Sequence, residues 1–372
     1  MKISRTILIA ILLSGLGSVS LPAVSGATIP AVELGGQVPS LEEEWPSSSP
    51  DAQGMDGALL GQLREVLRED APHIRSLLVV RHGRLVFEHY GKGLGADDLH
   101  EIGAITQSFT ATLVGVALEK GLLHQLDQPI SEFLPEAAET GVDPRVRNIT
   151  IADLLAMKSG FVWTQENWED CLFYGFAKEG CGKYEPESLD YALRRPLTPS
   201  PKRELVTNDI MNSHLLSEIL ARAGKTDVAS LLETNLLQPL GVPRYAWEDN
   251  SKGVKPGGRG LLLRGRDIAK LGKLYLDHGL WCGKRLIPAD YAKASTTEQG
   301  FESSGYFTGY GYHWWILSGS DNFFSWSPGG QSLAVYPAQD MVVVTTTSYH
   351  RTQTARDDTW IMNDFITPAI RQ

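Results

Sequence analysis

Apolar positions along this chain change their period more than once. Helical spacing from about Asp56 to Glu69 gives way to Ser76-Leu-Leu-Val-Val-Arg81 and Leu85-Val-Phe-Glu-His-Tyr90, two β-rich runs about a His82-Gly83 turn. A helix followed by a β-hairpin is predicted. From Ser108, the residues Phe109, Leu113 and Val116 keep helical spacing as far as Gly121, and a short helix is predicted from Thr150 through Asp153, Leu154 and Leu155 to near Gly160. Residues 161–200 carry many aromatics and prolines with little periodicity. They read as a long loop, which in a compact protein usually serves as a lid or binding segment.

Helical spacing resumes at Asn212–Ala223, Val228–Leu237 and Arg266–Asp277. The tail returns to β-rich runs at Tyr310–Ile316, Ser332–Tyr336 and Met341–Thr347, then to an amphipathic segment near Asp358–Ile366. Hairpin first, helices in the middle and strands last predict an α+β fold, a sheet built from both chain ends with a helical lobe inserted between them. The expected division is a sheet lobe at about 54–103 and 240–372 and a helical lobe at about 104–239. Residues 28–53, rich in Pro, Ser and acids, read as an irregular arm, and no repeat of solenoid period is found.

The first 27 residues change the expected destination. Lys2 and Arg5, an apolar run from Ile7 to Leu13 and a small-residue stretch ending Ser25-Gly26-Ala27 have the layout of a secretory signal peptide, residues 1–27. The apolar run is shorter than the ~20 residues needed to span a bilayer, so a secreted or periplasmic protein without a membrane span is expected. Cleavage would remove two cations and no acid, taking the formal net charge from −10 to −12. Such an acidic chain is a poor candidate for nucleic acid or anionic lipid surfaces. Cys171 and Cys181 are close enough in sequence for a local disulfide in an exported protein, leaving Cys282 single, with three unpaired thiols as the alternative. No His/Cys cluster has zinc spacing and no Gly-rich phosphate loop follows a strand, so neither metal nor cofactor is expected.

The ordered motifs add up to a family likeness. SLLVVRHGRLVFEHY, the helix at 104–120 with Leu126-Asp127-Gln-Pro129 after it, Ile151-Ala-Asp153-Leu-Leu and Ser159-Gly160 resemble the serine β-lactamase-like and penicillin-binding-protein-like family. Asn212-Ser-His-Leu-Leu216, Gln238-Pro-Leu-Gly241, Gly258-Arg-Gly260-Leu, Arg266-Asp267-Ile-Ala269, Gly329-Gly330-Gln331 and Pro337 continue the match in order over roughly residues 50–367. The class C β-lactamase and 6-aminohexanoate-dimer hydrolase branch is the most similar part of that family. The resemblance implies an antiparallel sheet flanked by terminal helices with an inserted all-helical lobe. It also implies a serine at a helix start, a lysine one turn later on the same face to accept its proton, and a tyrosine completing the relay.

Carried over residue by residue, the serine position falls on Ala104, the lysine on Gln107 and the tyrosine on Asn208, in a loop reading Asn208-Asp209-Ile210 in place of Tyr-x-Asn. Alanine has no nucleophilic atom, and an amide is no base near neutral pH. The family's third element, a strand, is expected near Phe324–Gln331, where Ser325-Trp326-Ser327-Pro328 precedes Gly329-Gly330 and the proline removes a backbone donor. Lys158-Ser159-Gly160 and Ser320-Asp321-Asn322 spell family motifs but fall at the wrong places, and read as a helix end and a turn. Ser108, one helical step of ~100° beyond the Gln107 position, reads as a buried or capping hydroxyl.

A binding function for a small amide, peptide or ester ligand is therefore expected, with serine acyl transfer lost. Asp209, Trp168, Tyr174, Ser327, Gly330 and Gln331 are the candidate cleft residues. Trp163, Phe173 and Tyr184 are further candidates from the loop, and Trp314, Trp315 and Trp326 from the sheet; core packing is the alternative for all of these aromatics. Two other functions stay open: an amidase, esterase or lyase using Gln107, Asn208, Asp209 or Gln331, and a protein-interaction role through the acidic surface or the Cys171–Cys181 loop.

Overall fold

The computed structural model describes residues 29–34, 44–162, 188–199, 210–250, 253–300, 307–317, 319–327, 329–348 and 359–371. In chain order the elements used below are β1 (Val32–Glu33), α1 (Gly57–Glu69), β2 (Ile74–Arg81), β3 (Arg84–Tyr90), β4 (His100–Glu101), α2 (Ile105–Glu119), α3 (Ile151–Leu155), α4 (Leu189–Arg194), α5 (Ile210–Gly224) and α6 (Val228–Leu232). They continue with β5 (Arg244–Trp247), β6 (Leu261–Leu263), α7 (Gly265–Leu276), β7 (Leu280–Trp281), β8 (Lys284–Arg285), α8 (Ala289–Ser295), β9 (Phe307–Tyr310), β10 (Trp315–Leu317), β11 (Phe323–Ser327), β12 (Gln331–Tyr336) and β13 (Met341–Thr347). A last helical stretch runs over Ile361–Ile366 and Thr367–Ala369.

Seven strands form the main sheet in the order β3-β2-β13-β12-β11-β10-β9, and each neighbouring pair is antiparallel. The last long strand thus lies beside the first hairpin, joining the two ends of the chain. Alternation along a strand sends successive side chains to opposite faces. Leu77 and Val79 of β2 and Val343 of β13 pack with Leu60, Leu63 and Leu67 of α1 and with Ile361 and Ile366. Leu78, Val80, Val342 and Val344 pack into the other layer, with α2, α5 and α7. Both faces of these central strands are covered, which is why β2 and β13 read as unbroken apolar runs. The β11–β12 pair, by contrast, alternates buried with exposed or half-buried positions.

Local signals set the element ends. Asp56 caps α1 by accepting from the Ala58 and Leu59 N–H groups at 2.9 and 3.1 Å, and the Leu59 bond holds its carboxyl below the usual range. Thr150 and Asp153 form a reciprocal capping box at α3. Helices α2 to α6 make up the inserted lobe, and α2 is enclosed from Ile105 to Ala117.

Two expectations need correction. Tyr310–Ile316 is not one strand: Gly311–Trp314 turns between β9 and β10, closed by Gly311 N–H donating to Trp314 O at 2.8 Å, with His313 in the left-handed region at φ +59°. The arm is more ordered than its composition suggests, because Val32 and Glu33 pair with β5 in a second sheet of order β1-β5-β6-β4, and Glu44 and Trp45 are enclosed against α7.

Candidate active site

The start of α2 is held from two sides. Ile102 N–H donates to Leu261 O at 3.0 Å, and Thr110 Oγ1 donates to Gly257 O at 2.7 Å, so the chain around β6 clamps the helix. Ala104 is the residue preceding its first turn and offers a methyl group with no capping bond. The Ile105, Thr106 and Gln107 N–H groups turn back to Ile102, Gly103 and Ala104 carbonyls at 3.0–3.1 Å.

One turn into the helix, Gln107 is engaged with the core. Its Oε1 lies 3.1 Å from His313 Nδ1, and Ser213 Oγ on α5 lies 3.3 Å from the same nitrogen. Burial pushes the His313 ring down to about 3, a shift opposed in part by the Leu154 carbonyl, so the imidazole is neutral. Ser108 Oγ donates to the His313 carbonyl at 2.7 Å and lies 2.8 Å from Ser325 Oγ on β11. A left-handed φ on a histidine carries a backbone cost. Here bonds to both its ring and its carbonyl hold it in place. Ser213 and His313 form a serine–histidine contact, but they are 0% and 2% exposed and Nδ1 is shared with Gln107. The contact is a polar core network with no approach for an attacking hydroxyl.

The sheet contributes the other wall. Ser325 and Ser327 are on the buried face of β11, and Ser327 is directly paired with Gln331 of β12 across the hairpin. Gly330 N–H closes that turn by donating to Ser327 O at 3.0 Å. Gly103 has φ +56°, and a β-carbon there would stand 2.1 Å from Ser327 Oγ. Only glycine fits both the backbone and the hydroxyl. Beside it, Glu101 Oε1 accepts from Gly103 N–H at 2.9 Å and Gly260 N–H at 3.3 Å. Burial raises its carboxyl pKa, opposed by those bonds; Glu248 adds to the rise and Arg259 opposes it.

The structure therefore brings Ala104, Gln107, Ser327, Gly330 and Gln331 to one region. Asn208, Asp209, Trp168, Tyr174, Cys171, Cys181 and Pro328 lie outside the described residues, as do Trp163, Phe173 and Tyr184. Ser108 is buried as expected, and the Ser320 to Asn322 stretch is the β10–β11 turn. The sheet-side tryptophans do not line this wall: Trp314 is in the core against Tyr275 and Phe323, and Trp326 follows strand alternation to the face opposite Ser325 and Ser327, with Phe324 and Trp315. Glu101 and His313 were not legible as site residues, because no motif or period marks them, and Ser213 and Ser325 fall inside family motifs that assign them no role. Among the described residues no group of three or more His, Cys, Asp or Glu side chains is placed to hold a metal, and no helix is long and apolar enough to cross a membrane.

Comparison with known proteins agrees with this fold. The family model described as Beta-lactamase matches residues 73–365. The 6-aminohexanoate-dimer hydrolase of Paenarthrobacter ureafaciens is 23% identical over 298 residues, 74% of this chain and 72% of that protein. Among solved structures, the octameric penicillin-binding protein homologue from Pyrococcus abyssi superposes with TM-score 0.66 at 18% identity, over 84% of this chain and 77% of that one. A class C beta lactamase from Rhodobacter sphaeroides superposes with TM-score 0.60, also at 18% identity, over 84% of this chain and 99% of that one. At such identities the structural likeness is one of fold.

Proposed function

The chain belongs to the beta-lactamase family, and on that premise we propose that it is an exported, non-acylating member that binds a small amide, peptide or ester ligand in the cleft at the start of α2. The observation that carries this reading is the pair Ala104 and Gln107. The first position has no heteroatom to attack a carbonyl, and the second is an amide engaged with a neutral His313 at 3.1 Å. Acyl transfer needs a nucleophile whose proton is taken by a base within reach. Neither role is filled at those positions. Pro328, with no N–H, also removes one backbone donor from the stretch beside Ser327. The residues before Thr28 support export by their signal-peptide layout.

The test is exposure of the purified protein to a fluorescent penicillin and to a panel of activated esters. No covalent adduct by intact-mass analysis and no turnover above buffer are expected. Stoichiometric labelling or steady hydrolysis would overturn the reading.

A further inference from the structure

The wall beside Ala104 presents oxygens that ask for a particular partner. Gln331 is 1% exposed, and its Oε1 accepts no hydrogen bond among the described residues. A buried acceptor left in that state is costly, so such groups usually mark a missing donor. Gln331 stands directly opposite Ser327, on the same sheet face. Ser327 Oγ is 2.1 Å, and Glu101 Oε2 is 3.9 Å, from the point a β-carbon on Gly103 would occupy. The two oxygens are thus separated by no more than the sum of those distances. That bound is 6.0 Å, and one nitrogen making two N–H···O bonds of up to about 3.2 Å bridges oxygens up to about 6.4 Å apart.

We propose that this corner holds a primary ammonium group of the bound ligand, with Glu101 Oε2 as its counter-charge and the Ser327 hydroxyl and Gln331 amide oxygen as its other acceptors. The assignment rests on the ligand-binding reading above and adds the chemistry of one end of the ligand. An ammonium has three donors and no acceptor, which matches three oxygens. A carboxylate ligand would face Glu101 and the unfilled amide oxygen, both repulsive to it. Arg259, the nearby cation, is already paired with Glu248 at 3.2 Å. The positive end of α2 disfavours a cation by itself. Glu101 lies at that end, bonded to Gly103 N–H, and the ammonium pairs with this carboxylate.

Calorimetric titration of the full chain with butylammonium chloride tests the site, with N-butylacetamide, sodium butyrate and potassium chloride as comparators. Saturable binding of butylammonium is expected, about tenfold or more tighter than any comparator, and Glu101→Gln and Gln331→Leu should each weaken it about tenfold. The wild-type comparators decide the matter even where a variant fails to fold. Absence of saturable butylammonium binding, equal binding by potassium ion or N-butylacetamide, or folded variants that bind as well as wild type would each overturn the proposal. Such a failure in a protein that stays unreactive toward penicillin and esters leaves the non-acylating reading intact. Covalent labelling would strike that reading instead.

Discussion

Two buried polar clusters in this protein are built on opposite plans. Beneath the arm, Arg264 and Lys270 of the α7 region meet Glu44 and Asp267, all four side chains at most 3% exposed. Asp267 takes Arg264 Nε at 2.7 Å and Lys270 Nζ at 2.8 Å, and Glu44 bonds to both cations. Behind Ala104, Gln107, His313, Ser213, Ser108 and Ser325 form a cluster with no formal charge, since burial keeps the imidazole neutral. The interior tolerates charge where cation and anion close on each other. Where the family's chemistry needs a poised ammonium beside a hydroxyl, this chain has an amide, a neutral ring and a methyl group.

The sharpest way to break that comparison is to delete one member from each cluster. Asp267→Ala leaves Glu44 as the one buried carboxylate against two buried cations, and unfolding in urea should show a loss of about 3–5 kcal/mol. Gln107→Leu removes a neutral partner while Ser213 remains beside His313 Nδ1, and a loss of about 1–2 kcal/mol is expected. Equal losses would mean that the two clusters do not differ in kind.

A second prediction concerns the junction of helix and sheet. Gly103→Ala imposes a β-carbon at φ +56° and in overlap with Ser327 Oγ. Backbone strain of about 1 kcal/mol and overpacking of a similar size or more should add to about 2–3 kcal/mol. Ser327→Gly in the same chain should restore the overpacking part and leave the strain. A double variant no more stable than Gly103→Ala would show that Ser327 is not what Gly103 accommodates.

Sequence and structure agree where the physics is local. Apolar period placed α1, the first hairpin and β13 within a residue or two and the start of α2 within three, because amphipathic faces and Gly turns are written in consecutive residues. The strand Phe323–Ser327 is carried by the family pattern and not by apolar period, because its Ser and Trp positions alternate by burial and not by polarity. The break inside Tyr310–Ile316 depends on a histidine adopting a glycine-like φ, a conformation fixed by Gln107, Ser213 and Ser108 from far along the chain. Ala104, Gln107, Ser327 and Gln331 were visible as positions of a family pattern. Glu101 and His313 became visible only through folding, since β4 and the β9–β10 turn deliver them from segments without a motif.

The last effect, the smallest per step of the variable changed, is the one that separates the clusters by their protons. His100 and His214 are pushed down to about 4 and His313 to about 3, in each case chiefly by burial. These rings are neutral in the folded protein, while in the unfolded chain they gain a proton below about pH 6.5. The unfolded state then binds more protons, so their contribution is full above that pH and is lost as pH falls toward the folded values. The slope approaches about 1.4 kcal/mol per pH unit for each histidine. Glu101 runs the other way: its raised pKa lets the folded state take the proton first, a contribution present in acid and lost as pH rises through the folded value. His313→Asn is the discriminating variant, because asparagine tolerates a left-handed φ and keeps an amide toward Gln107. Urea midpoints at about pH 7, 5.5 and 4.5 should fall less steeply for this variant than for wild type, by about one histidine's slope. An unchanged slope would place the titrating groups elsewhere and remove the basis for calling the cluster behind Ala104 neutral.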